Sequence, residues 1–145
     1  MSIKLKLEGF DELLKNIEKA GGEIDRATEN AMRQSAVTMQ RELVAQMTKA
    51  NVDRALISRM PSFVIEKDHG AITARVGYRS TGYNPSSPSD YHKAIFINYG
   101  TPTRSKHGVI VGRGFVQKAK RRARRTIKKQ QEEVLNKILA RLKGR

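Results

Sequence analysis

Residues 117–130 read QKAKRRARRTIKKQ, in which Lys118, Lys120, Arg121, Arg122, Arg124, Arg125, Lys128 and Lys129 place eight positive charges with no negative one between them. Side chains of this kind meet anions or water. Three surroundings would accept them: a nucleic-acid backbone, an acidic protein surface, or plain solvent. On a duplex each phosphate neutralised by Lys or Arg releases counterion, so the stretch could bind strongly and with marked salt sensitivity. It carries no aromatic residue for stacking single strands, and only Gln117, Gln130 and Gln131 could read a base edge. Binding of that sort would be sequence-nonspecific. Composition leaves all three surroundings open.

The remaining residues offer little catalytic chemistry. His69, His92 and His107 fall in turn or loop sequence, and none has a histidine or acid at the i, i+4 spacing that puts two ligands on one helix face. Asp90, His92 and a neighbouring serine could be drawn as a triad, but no GxSxG-like elbow presents the nucleophile. GVIVGRG (108–114) is glycine-rich, yet lacks the Lys-Ser/Thr of a phosphate loop. The acids are interleaved with Lys and Arg on helix surfaces, so no carboxylate pair stands out for acid/base work. With no cysteine, disulfides, thiolate metal sites and a Cys nucleophile are excluded. The expectation is a protein that is not an enzyme, with no catalytic residue, metal, cofactor or small-molecule substrate.

The elements that must position the basic stretch follow from length and pattern. A chain of 145 residues with 38% apolar side chains supports one core, so a single domain spanning 1–145 is expected. The net charge of +15 is lopsided: from Arg104 to Arg145 there are fifteen Lys or Arg against only Glu132 and Glu133. Such asymmetry points to a charged partner. No apolar run approaches the length of a membrane span, so no membrane partner is expected, and the alternating MSIKLKLEGF start does not look like a secretory signal.

Ile3, Leu5 and Leu7 alternate with Lys4, Lys6 and Glu8, as in a half-buried strand. From Asp11, a plausible N-cap, Leu13, Leu14 and Ile17 recur at helical spacing until Gly21-Gly22. A longer helix over about 23–48 carries Ile24, Ala27, Ala31, Met32, Met39, Leu43 and Met47 on one face. A turn or short helix follows at 49–61. SFVIEKD (62–68) and AITARVGY (71–78) form a hairpin about His69-Gly70, with Ile72, Ala74, Val76 and Tyr78 on a common face. The Pro- and Ser-rich stretch 79–92 reads as a long mobile loop, AIFINY (94–99) as a short buried strand, and 101–114 as a second mobile loop. A terminal helix over about 115–142 has a narrow stripe, Ala119, Ala123 and Ile127, that widens to Val134, Leu135, Ile138, Leu139 and Leu142. Two long loops in so small a domain suggest segments that order on assembly.

Taken in order, GFDELLKNIEKAGGEIDRATENAM (9–32), ARVGY (74–78), AIFINYGT (94–101) and GRGFVQKAKRRA (112–123) resemble the small neck, head-tail joining or minor tail-component proteins of long-tailed bacteriophages. The pattern spans most of the chain. It departs from that family's common form at Asn98, where an acid is usual, and at Arg113-Gly114-Phe115-Val116, where the last helix usually opens on Pro-Phe-Leu. The resemblance implies an α+β fold, a small antiparallel sheet packed against two N-terminal helices and one long basic C-terminal helix, with loops that reach adjacent subunits. It also implies a structural role in the virion after assembly in the host cytoplasm: completing the tail or joining it to the head, as or on a ring around the DNA path. The partners would then be further copies of the chain and neighbouring neck or tail proteins, with nonspecific DNA contact as the rival. The expected assembly residues are Tyr83, Phe96, Tyr99, Gly100, Thr101, Val109 and Ile110, together with the eight cations.

Overall fold

A computed structural model describes residues 2–6, 22–68, 71–101 and 111–143. The fold is α+β. Three strands, β1 (Ser2–Lys6), β2 (Val64–Asp68) and β3 (Ala71–Gly77), form an antiparallel sheet in the order β1-β3-β2. Among the described residues there are also four helices: α1 (Gly22–Lys49), α2 (Arg54–Ser58), α3 (Asp90–Tyr99) and α4 (Phe115–Lys143). The expected helix from Asp11 to Gly21, and the hairpin turn at His69-Gly70, lie outside the described residues.

β3, the middle strand, alternates cleanly. Ile72, Ala74, Val76 and Tyr78 are all buried on one side, while Arg75 stands out on the other. Its register fixes both neighbours: Ile3 lies opposite Val76 on β1, and Ile65 opposite Ala74 on β2. The buried face meets α1, which supplies Met32, Ala36, Met39, Leu43 and Met47, a stripe at three- and four-residue steps. The methionines adapt to the twisted sheet beneath them. Helix α4 runs antiparallel to α1, since Arg113 reaches the carbonyls of Ala50 and Asn51 at one end and Gln130 bonds Thr38 further along. Ala119, Ala123 and Ile127 are buried along this pairing, so the narrow stripe read from sequence is the seam of the helix pair. Beyond it Ile138 is buried, Val134 and Leu135 are partly so, and Leu139 is exposed.

One element departs from the sequence reading. AIFINY is not a strand but the body of α3, which begins at Asp90, and this shortens the first loop to 79–89. A short apolar run fits a buried strand or a buried helix equally well, and what decides is the residues before it. Taken from Asp90, Tyr91, Ala94, Ile95 and Asn98 recur at helical steps. Ala94 and Asn98 are buried, and Tyr91 and Ile95 pack partly against the core. Asp90 favours the helix N-terminus, and Gly100 ends the helix at φ 81°, where its N–H bonds the Phe96 carbonyl at 2.8 Å.

Tyr78 ties the sheet to α2 by donating its hydroxyl hydrogen to the Leu56 carbonyl. Burial is the main reason its phenol is pushed up to about 12. A folded-state value above the ordinary 10.0 means stability that is whole below pH 10 and drains away as the pH climbs towards 12. Tyr78→Phe should cost about 1 kcal/mol at neutral pH through the lost hydrogen bond, and flatten that alkaline decline in urea melts taken from pH 8 to 12.

Candidate partner-binding site

Helix α4 is positioned by a junction at its first turn. Its leading N–H groups need acceptors, and no side chain of its own supplies one for Val116. The amide of Val116 donates instead to Asn98 Oδ1 at 2.9 Å, so a buried residue of α3 caps α4 from outside. In return the segment before α4 caps α3: Arg113 N–H donates to the Ile97 carbonyl at 2.9 Å, and Gly114 N–H to the Asn98 carbonyl at 3.0 Å. Gly112 allows the two backbones to come this close. A Cβ there would fall 2.7 Å from the carbonyl carbon and oxygen of Tyr99. The Arg113 side chain then donates to the carbonyls of Ala50 at 2.8 Å and Asn51 at 3.2 Å, just past the end of α1, where a cation also suits the helix dipole. Three helices are thus locked at one point.

From that point α4 projects its charge. Lys118, Lys120, Arg121, Arg122, Arg124, Arg125, Lys128 and Lys129 are all exposed, and none has an ion-pair partner among the described residues. At 100° per residue the eight cations fan over about 200° of the helix surface, with Ala119, Ala123 and Ile127 filling the opposite side. No single flat or convex partner can touch all eight at once. They divide into a flank, Lys120, Arg124 and Lys128, beside the seam, and an outer face of Lys118, Arg122, Arg125 and Lys129, with Arg121 between. Five pairs stand at i, i+4: 118/122, 120/124, 121/125, 124/128 and 125/129. Each is like-charged and costs the isolated helix about 0.2–0.5 kcal/mol.

The second patch lies on α3 and the loop before it. Tyr83, 55% exposed, packs edge-on against Phe96 at a ring separation of 5.9 Å and leans on His92 at 5.0 Å. The loop is braced by Thr81 donating to Ser89 Oγ at 2.7 Å and by an Asn84 side chain that accepts the Ser86 amide. Tyr99 is 60% exposed, Gly100 pairs with Val111 in an isolated bridge, and Thr101 is partly buried. The structure therefore joins Tyr83 to Phe96 and leaves Tyr99 outward on the same helix. Val109 and Ile110 lie outside the described residues.

The residues that could be drawn as a triad divide their contacts. Ser89 Oγ sits 3.0 Å from His92 Nδ1, but Asp90 turns to Arg59, whose guanidinium holds it at 2.9 and 3.1 Å. The Arg59 hydrogen bonds keep the Asp90 carboxyl below the usual carboxylate range. Sequence reasoning missed Asn98, Gly112 and Arg113 as the residues that aim α4. The only local signal was the run of glycines at 108, 112 and 114. No family model, curated protein or solved structure matches the chain.

Proposed function

We propose that this chain is a non-enzymatic structural subunit of a tailed bacteriophage, which completes the tail or joins it to the head by assembling as, or onto, a ring around the DNA path. The observation that carries the reading is the α4 exterior: eight cations, unpaired among the described residues, held out on one helix at a cost to that helix. A face that costs stability and closes no ion pair among the described residues is suited to a complementary neighbour. Tyr83 and Tyr99 are exposed aromatic residues on other elements, and unlike patches on one subunit suit head-to-tail contacts, which close into a ring where the rotation between subunits closes. The resemblance of residues 9–32, 74–78, 94–101 and 112–123 to phage neck and tail-completion proteins supplies the biological setting.

The rival is a cytoplasmic protein that binds nucleic acid without sequence preference, favoured by the outer face of Lys118, Arg122, Arg125 and Lys129. On a duplex that face offers about four phosphate contacts, half of what a count of charges promises.

Replacing Arg121, Arg122, Arg124 and Arg125 by Ala removes every one of the five like-charged pairs and installs the best helix former. The variant should be more stable than the parent by about 1–2 kcal/mol in urea melts, while losing assembly. Sedimentation velocity over a range of concentrations reads the second half. The parent should form a discrete species of several subunits, alone or on addition of phage neck and tail proteins, and the variant should not. A parent that stays monomeric under both conditions sinks the ring reading.

A further inference from the structure

Strand β1 is an edge of the sheet: among the described residues it pairs only with β3, and its other side is unpaired. That open side faces α4 across a groove of about 630 Å³. Ile3, Leu5, Met39 and Ile127 form its apolar floor, and Lys4, Lys120, Arg124 and Lys128 stand along its walls. Among the described residues no carboxylate lines it. Arg75, directly across from Lys4 in the sheet, has its charge taken by Glu66 at 3.2 Å, whereas Lys4 has no such partner among the described residues.

From these features we infer that the groove is a docking site for an extended acidic segment of a partner protein, which adds to the sheet as a strand beside β1. Three properties select that occupant. The free edge of β1 offers a row of backbone donors and acceptors that only another extended backbone satisfies. The groove runs from Lys120 to Gln131 on α4, a rise of about 16 Å, and the five residues of β1 in extended form span about the same length. Side chains on an added strand alternate, so apolar residues can meet Met39 and Ile127 while acids reach the cations on either wall. A nucleic-acid backbone would satisfy the cations but would leave the strand edge unpaired and the apolar floor without a counterpart. The inference takes from the proposed function only the idea that the α4 charges face a protein. It explains why Lys120, Arg124 and Lys128 stand apart from the outer cations.

The test uses the full chain at concentrations where it is monomeric, so that a failure of ring assembly does not affect it. The probe is a blocked, fluorescein-labelled nine-residue peptide alternating Val and Glu, measured by anisotropy, with amide hydrogen exchange followed by NMR. Saturable one-to-one binding is expected, with new exchange protection at residues 2–6. The same peptide with proline in place of each Val cannot pair as a strand and should not bind. Arg124→Glu with Lys128→Glu, both exposed and checked for an unchanged fold by far-UV circular dichroism, should weaken binding about tenfold or more. No saturable binding, equal binding of the proline peptide, or binding indifferent to the two substitutions would overturn the inference. So would displacement of the peptide by a short random duplex that binds more tightly at the same residues, since the groove would then serve nucleic acid.

Discussion

Gly112→Ala should lower the stability of this protein by about 2–4 kcal/mol. The new Cβ would sit 2.7 Å from the Tyr99 carbonyl carbon and oxygen and 2.9 Å from the Asn98 oxygen. These atoms are backbone, and they cannot swing aside as a side chain would. Relief requires the 111–114 strand of chain to lift away from α3, which breaks the bonds from Arg113 N–H to Ile97 and from Gly114 N–H to Asn98. The last carbonyls of α3 then lose their donors, and Arg113 loses its hold beyond the end of α1. In a thermal melt the midpoint should fall by about 6–12 °C. Gly82→Ala is the control, because nothing lies within 4 Å of the added carbon, and it should be nearly neutral. Equal midpoints for the two variants would show that the junction is not held as described.

Phe115→Ala should cost more, about 3–5 kcal/mol, because it empties a fully buried aromatic site at the root of α4. Phe115 and Val116 are both buried, and the Val116 amide is the one capped by Asn98. Loss of the ring therefore removes apolar contact and loosens the point from which the helix is aimed. The midpoint should drop by about 10–15 °C, whereas Phe115→Leu, which refills most of the space, should lose less than half as much. A Phe115→Ala chain that melts within a few degrees of the parent would mean that α4 is anchored by its alanine seam alone.

Much of the frame was legible from local pattern. The period-2 run Ile72, Ala74, Val76, Tyr78 is the buried face of β3, and the Ala119, Ala123, Ile127 steps are the seam of α4, since both depend only on side chains a few residues apart. The departure at 94–99 has the same source: five apolar residues and one Asn carry too little phase to separate a strand from a helix, and the decisive neighbours Asp90 and Tyr91 fall in sequence that reads as loop. The junction at Asn98, Gly112 and Arg113 was not legible at all. Asn98 caps an amide eighteen residues away, and Arg113 meets carbonyls more than sixty residues away. The groove beside β1 is also a product of topology, because Lys4 and Lys120 come from opposite ends of the chain. What the sequence did carry was the charge itself, and the structure shows that these cations are unpaired among the described residues and splayed rather than lined up.

On the proposed reading that splay favours a protein partner over a nucleic-acid backbone, and a salt titration tests it directly. Binding of the parent chain and of the Arg121→Ala, Arg122→Ala, Arg124→Ala, Arg125→Ala variant to random duplex DNA should be measured at low salt and again near physiological salt. An outer face able to reach about four phosphates predicts weak binding with a shallow logarithmic salt slope, about −4 or less steep, that has faded by physiological salt. Tight binding that persists near physiological salt, with a slope near −7 in the parent and none of it left in the variant, would contradict the account and make DNA the partner of α4.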